Sequence, residues 1–269
     1  MINEALAVFL SLYPWNLGVG GYYTVGEYST ARTYRSQKAM ISMDRRSKDL
    51  FVLDYEHLSI EDDLSTYKQD NVLIRNLFWI KPEFRIGNIA GYIQSNSTEE
   101  GWLLGAQLEG DLPWFGYSMA YSYSEFQGWE SMSTYWDITT YPITQWSVGI
   151  SKKLGPVIVR TQAVTQNTWG VNYWKCSGKV IANLLKNIYV TLYGETGESR
   201  YALDPYLLVL DNNPDILHQS YGLYAVYQVH TNISLSCEAL RKEYSPIFEY
   251  TGSTDYHVQY LVFGIQLRL

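Results

Sequence analysis

The chain has 269 residues, with 25 Tyr, 9 Trp, charged residues at 17% and a formal net charge of -7. That charge leaves no footprint for nucleic acid or for an anionic lipid surface. No run approaches the ~20 apolar residues of a membrane helix, so a membrane-spanning reading requires strands, whose alternation masks their hydropathy. Low charge beside abundant Tyr and Trp suits aromatic girdles around a polar interior.

The opening MINEALAVFLSLYPW is apolar from Ala5 to Leu12 but has neither a basic flank nor a small-residue cleavage site, so it reads poorly as a signal peptide. Alternating segments then follow at 17–28, 36–44, 50–58, 72–80, 84–94, 102–110, 115–126, 143–152, 157–166, 174–184, 188–195, 219–229, 233–242 and 256–268. The clearest is FGYSMAYSYSEF, which sends Phe115, Tyr117, Met119, Tyr121 and Tyr123 to one side and Gly116, Ser118, Ala120, Ser122 and Ser124 to the other. A two-residue period with aromatics on one face and small groups on the other fits a wall between lipid and water, with the small face leaving the interior open.

Short connections alternate with long ones. RRSKD, KPE, GDLPW, KLGP, LLKN and HTN are short, whereas EDDLSTYKQD, SNSTEEG, QGWESMSTYWDITTY and the stretch from Thr196 to His218 are long and polar. That sorting is what an up-and-down barrel requires, with turns at one rim and loops at the other. All eight prolines fall outside the segments: Pro82, Pro113 and Pro156 in turns, Pro205, Pro214 and Pro246 in loops, and Pro14 and Pro142 just before strands. A closed sheet has no edge strand to shelter a residue that cannot donate to the ladder. The expected fold is therefore all-β, a transmembrane antiparallel up-and-down β-barrel of fourteen strands, with twelve as the alternative count.

The last segment, YHVQYLVFGIQLRL, places Leu261, Phe263, Ile265, Leu267 and Leu269 outward and Tyr260, Val262, Gly264, Gln266 and Arg268 inward. It resembles the terminal strand of bacterial outer-membrane β-barrel proteins, although those usually end in Phe or Trp and this chain ends in Leu269. The architecture is similar to that of small monomeric porins. The YGETGES segment at Tyr193 to Ser199 and the AYSYSEF strand also resemble the YaiO-type barrel family. The resemblance implies a bacterial outer-membrane location, with residues 1–16 as an N-terminal segment on the periplasmic side and 17–269 as one barrel domain.

With the aromatic face outward, parity turns Asp54, Glu56, Gln107, Glu109, Arg160, Gln162, Lys175, Lys179, Glu195 and Glu238 inward as candidate pore-lining residues, and Tyr117, Tyr121, Tyr123, Trp146 and Phe263 toward lipid. Ionisable groups are tolerated in a water-filled interior, whereas a charge on the lipid face at mid-bilayer costs ~2–4 kcal/mol. Such groups either pair and fill the barrel or line a constriction that sets selectivity. At fourteen strands the bore exceeds what side chains fill in an eight-strand barrel, which favours an open or loop-gated channel.

The longest loop, Thr196 to His218, carries its own apolar run, Tyr206 to Leu210, and is expected either to fold inward as a constriction or lid or to cap the mouth as a partner surface. Asp204, Asp211 and Asp215 offer oxygen ligands, but their spacing matches no EF-hand loop, so no metal is assigned. NPDI at Asn213 to Ile216, before Tyr221, resembles a stretch of the outer-membrane phospholipase A family, which implies a calcium-dependent lipid hydrolase. The His-x-Ser-Asn-Gly strand of that family has no counterpart here, since no histidine lies between His57 and His218. His57 and His257 are outward near strand ends, His230 is in a turn, and Cys176 and Cys237 have no metal-ligand spacing and read as apolar packing. No phosphate loop or redox motif calls for a cofactor. The leading expectation is a non-enzymatic channel for ions or small polar solutes whose partners are outer-membrane lipid and the solute. The alternative is a scaffold barrel, in polysaccharide export or electron transfer, that binds a periplasmic or extracellular protein through loops or lumen.

Overall fold

The computed structural model describes residues 16–45, 48–62, 65–96, 100–132, 135–168, 170–200, 202–204, 209–211, 215–246 and 254–269. Its strands are β1 (Asn16–Tyr28), β2 (Thr33–Asp44), β3 (Asp49–Glu61), β4 (Thr66–Lys81), β5 (Phe84–Ser95), β6 (Glu100–Asp111), β7 (Gly116–Met132), β8 (Tyr135–Leu154), β9 (Val157–Thr168), β10 (Val171–Leu185), β11 (Ile188–Ser199), β12 (Ala202–Asp204), β13 (Val209–Asp211), β14 (Ile216–His230), β15 (Ile233–Ser245) and β16 (Tyr256–Arg268). All but β12 and β13 form one closed barrel of fourteen antiparallel strands, each hydrogen-bonded to its neighbours in sequence. Closure is made by β1 and β16, in register from Gly18↔Arg268 to Tyr28↔Val258. The barrel has no free edge along this seam, so the ladder's donors and acceptors are satisfied within the wall, as a membrane-spanning sheet demands.

Alternation sets the two faces. On β7, Ser118, Ala120, Ser122 and Ser124 are buried inward while Met119 is exposed, with Tyr121 and Tyr123 on the same outer side. The outer surface carries Leu104, Trp146, Val148, Ile150, Leu192 and Phe263, each at least half exposed. A contiguous apolar coat of this kind is matched only by a lipid solvent. On β16, Leu261, Phe263, Ile265 and Leu267 all face out, at 41–50% exposure. At one margin of the coat aromatic hydroxyls meet carboxylates: Tyr55 Oη donates to Asp70 Oδ1 at 2.6 Å and Tyr123 Oη to Glu125 Oε1 at 2.7 Å. At the other, Trp114 stands 81% exposed in the turn between β6 and β7.

The turn-side rim holds short connections, such as Lys81 to Phe84 between β4 and β5 and Leu154 to Val157 between β8 and β9. Gly155 takes φ +62° in the latter turn, where an L side chain is disfavoured. The opposite rim departs from the sequence expectation. QGWESMSTYWDITTY is mostly strand, because β7 and β8 stay paired up to Met132↔Tyr135. Beyond Phe126↔Tyr141 these two strands pair only with each other among the described residues, since β6 stops at Gly101↔Phe126 and β9 at Ile143↔Thr168. Pro142 therefore lies inside β8 rather than before it. It is tolerated one residue past the last β8–β9 pair, where the strand has become an edge.

Candidate functional site

The ten inward residues anticipated from parity lie on the inner face, and the register gathers seven of them into three groups. In the first, Lys38 Nζ meets Asp54 Oδ2 at 2.8 Å, while Glu56 accepts from Ser36 Oγ at 2.6 Å, Tyr34 Oη at 3.3 Å and Asn71 Nδ2 at 3.3 Å. In the second, Glu109 accepts from Arg75 Nη2 at 2.9 Å and lies 3.4 Å from Arg85 Nε, whose Nη2 reaches Asp111 at 3.0 Å. Gln107 turns its amide oxygen to Arg75, 2.9 Å from Nη2 and 3.1 Å from Nε. In the third, Glu195 holds Lys175 Nζ at 2.9 Å and Ser220 Oγ at 2.8 Å, and Tyr193 donates to Glu238. Gln162 is buried on β9, two residues from Arg160, and Arg160 stands directly opposite Lys179.

These ion pairs join neighbouring or next-neighbouring strands. They run along the wall rather than across the bore. Lys38, Arg75 and Arg85 supply the counter-charges, and the sequence analysis did not single them out. Arg75 interrupts the apolar run VLIRNLFWI, in which both faces of β4 carry large hydrophobics, so parity there had no polar alternation to lean on.

The interior is asymmetric. On β3 to β6, Val52, Leu73, Ile89 and Leu103 pack into a buried cluster with Met40 and Leu50 against it. Gly91 makes room for it, since a Cβ there would come within 2.5 Å of Leu73 Cδ2 and 2.9 Å of Leu103 Cδ2. The small face of β7 belongs to this packed side: Ser118, Ala120, Ser122 and Ser124 are 2–8% exposed, so they do not border open water as the sequence suggested. Their smallness serves close packing, for a Cβ on Gly149 would lie 2.6 Å from Ser118 Oγ and one on Gly105 3.2 Å from Ser122 Cβ. On β10, β11, β14 and β15 the inward Lys175, Ser177, Lys179, Tyr193, Glu195, Tyr224 and Glu238 keep partial exposure. The wetter part of the bore runs along that wall.

The long loop is tied inward at its start. Above Lys175↔Gly197, β11 no longer pairs with β10. Gly197 takes φ +114°, and its backbone passes so close that a Cβ would lie 2.4 Å from Trp174 O. Three residues on, the backbone of Arg200 meets the buried side chain of Gln166 on β9: Arg200 N donates to Oε1 at 2.9 Å, and Nε2 donates to Arg200 O. The Arg200 guanidinium lies 5.5 Å from the ring centroid of Tyr141 on β8. At the loop's far end Tyr256 Oη donates to Asp215 Oδ2 at 2.6 Å, and Tyr256 stacks on Tyr244 at 5.4 Å. Between them β12 and β13 form a small ribbon, Ala202↔Asp211 to Asp204↔Val209. Tyr206 to Leu210 lies partly, and Asn213 and Pro214 wholly, outside the described residues.

Hydrolase chemistry requires a nucleophile beside a base, and one histidine has a serine within reach. His218 Nε2 lies 2.7 Å from Ser245 Oγ, and its Nδ1 is 3.8 Å from Glu198 Oε1. A nucleophile needs to give its proton to that imidazole. Ser245 Oγ instead donates to Asp255 Oδ1 at 2.6 Å, and a hydroxyl has one proton to give. The arrangement ties together the ends of two loops. Cys176 and Cys237 are free thiols on the outer face. Among the described residues, no group of three His, Cys, Asp or Glu side chains is disposed to hold a metal ion.

No protein-family model matches the sequence, and no curated protein matches it. Solved structures do. The CymD monoaromatic hydrocarbon channel is similar over 95% of this chain and 88% of its own, at 8% identity and a TM-score of 0.59. The NanC porin is similar over 93% and 100%, at 10% identity and a TM-score of 0.51. A loop-deletion variant of OmpT, an outer membrane protein of Vibrio cholerae, is similar over 95% and 99%, at 6% identity and a TM-score of 0.53. At such identities the likeness is one of fold: the chain has the porin-like, closed fourteen-strand fold of bacterial outer-membrane β-barrels.

Proposed function

We propose that the chain is an outer-membrane channel that passes ions or small polar solutes. One observation carries this reading: the ionisable groups of the lumen pair along the wall, leaving the side formed by β10, β11, β14 and β15 lined by partly exposed polar groups. Asp54, Glu56, Gln107, Glu109, Arg160, Gln162, Lys175, Lys179, Glu195 and Glu238 are the pore-lining set, with Lys175 and Lys179 on the wetter arc and Arg160 beside it on β9. A solute that sheds part of its hydration finds fixed charges and hydroxyls there, which is how charged rings confer selectivity. Tyr117, Tyr121, Tyr123, Trp146 and Phe263 anchor the barrel in lipid. Refolded protein inserted in a planar bilayer is expected to give stepwise conductance. Absence of conductance at every voltage, from protein shown to be folded by heat-modifiable gel mobility, overturns the reading.

The projecting β7–β8 hairpin favours a second reading, a barrel that recruits a partner. Its last pairs, Gln127↔Thr140 to Met132↔Tyr135, have no third strand beside them among the described residues. Such edges accept an added strand. Pull-down in mild detergent that returns the barrel alone, with or without residues 127–140, counts against it.

A further inference from the structure

Asn76 and Asn88 interrupt the lipid-facing coat. On β4 the inward residues are the buried Leu73, Arg75 and Leu77, so Asn76 points outward between Ile74 and Phe78. On β5 the buried Ile89 is inward, so Asn88 points outward between Ile86 and Ala90. The two are direct cross-strand partners, and Asn76 Nδ2 donates to Asn88 Oδ1 at 2.9 Å. Asn88 lies four residues above Phe84 at the turn; at ~3.3 Å per residue and the usual strand tilt it sits on the order of 10 Å inside the coat. Asp70 and Gln94, which mark the far margin, are six residues away on their respective strands.

One hydrogen bond does not satisfy two carboxamides. Each has two N–H donors and an oxygen with two lone pairs. The pair leaves the Asn76 oxygen and the Asn88 amino group without a side-chain partner among the described residues. Hydrocarbon offers neither a donor nor an acceptor. Nor do the outward neighbours supply a polar partner: Phe51 stands opposite Asn76 on β3, Ala106 opposite Asn88 on β6, and Ala90 is the next outward residue on β5. An unmet acceptor beside an unmet donor is self-complementary. A second copy turned by a two-fold axis presents its donor to the first copy's acceptor and its acceptor to the donor, the isologous arrangement of symmetric dimers. Ala90 and Ala106 let the two walls approach closely, as small residues do wherever membrane segments associate.

We propose that this outer face of β4 to β6, centred on Asn76 and Asn88, is the contact between two copies of the barrel in the membrane. It does not depend on what the lumen conducts. The full chain is placed in lipid nanodiscs with Cys176→Ser and Cys237→Ser, and Ala90→Cys is introduced for oxidative cross-linking. The expected result is a covalent dimer from Ala90→Cys, none from Leu192→Cys on β11, and a dimer mass by native mass spectrometry of the unsubstituted protein. Asn76→Leu with Asn88→Leu, folded by heat-modifiable mobility, is expected to lose the dimer. Should that variant fail to fold, Ala106→Trp blocks the approach without touching the amides and is expected to lose it too. A monomeric unsubstituted protein, a trimeric mass, or a dimer that survives the substitutions overturns the proposal.

Discussion

Arg75 on β4 and Glu109 on β6 meet at 2.9 Å across the intervening β5. Between them in register stands Gly87 of β5, paired with Leu77 and Gln107, where a Cβ would come 2.8 Å from Leu77 Cδ2 and 3.2 Å from Gln107 Cγ. Both charges are about nine-tenths buried, and Glu109 also faces Arg85. Removing one partner of an isolated buried pair typically costs ~3–5 kcal/mol; here Glu109 keeps Arg85 and Arg75 keeps the Gln107 amide oxygen, which holds the loss below that range. Arg75→Ala and Glu109→Ala are each expected to lower the urea midpoint of the refolded barrel by a corresponding amount. The double variant is expected to lose less than the sum, with a coupling of ~0.5–3 kcal/mol. Simple additivity in a double-mutant cycle counts against a direct pair.

On β8 from Tyr141 onward, and on β9 and β10, the inward charges are all positive: Lys153, Arg160, Lys175 and Lys179. Arg160 and Lys179 are direct cross-strand partners, a placement that ordinarily destabilises a sheet. A basic arc beside the wetter bore concentrates anions at its surface. Under a potassium chloride gradient the reversal potential of the unsubstituted channel is expected to lie on the chloride side. Arg160→Glu with Lys179→Glu is expected to move it to the potassium side, with the difference fading at molar salt. A potential unchanged by the double substitution removes these residues from the conducting path.

The side chain of Gln166 bonds both backbone groups of Arg200, 34 residues later in the chain. Gln166→Ala releases them, and with them the start of the loop. Single-channel conductance is expected to rise, while stability falls by only ~1–2 kcal/mol, the worth of ordinary hydrogen bonds. Gln166→Asn, one methylene shorter, is expected to behave like the alanine. Unaltered conductance in both variants shows that the loop's tether does not govern the bore.

Much of the barrel is legible because its side chains repeat every two residues and its described prolines, Pro142 apart, avoid the ladder. Tyr117 to Tyr123 fix which parity faces lipid, and the same parity places Asp54, Gln107, Glu195 and Glu238 on the inner face. The pairings among these residues are less legible. Lys38 finds Asp54 across neighbouring strands, and Arg75 finds Glu109 across β5, through register, which no single strand announces. Gln166 and Arg200 meet only because Gly197 takes φ +114° and steers the chain across the backbone of Trp174 and Lys175. The packed side of the lumen was concealed for a related reason: Leu73, Ile89 and Leu103 look like any outward apolar residue until parity is carried strand by strand from β7.

Gly110 and Tyr117 give a test on the outer face. They are cross-strand partners on β6 and β7, and the tyrosine ring lies over the glycine so closely that a Cβ on Gly110 would stand 2.3 Å from Tyr117 Cζ and 2.5 Å from Cε1. No backbone torsion forbids alanine there, so the conflict is between the methyl group and the ring. Overpacking of this kind costs ~1–3 kcal/mol. Gly110→Ala is expected to lower the urea midpoint accordingly, because Tyr117 must swing its ring off the wall. Tyr117→Ser removes the ring and is expected to make Gly110→Ala neutral in its background. A penalty that persists without the ring means that the glycine answers to the backbone rather than to its aromatic partner.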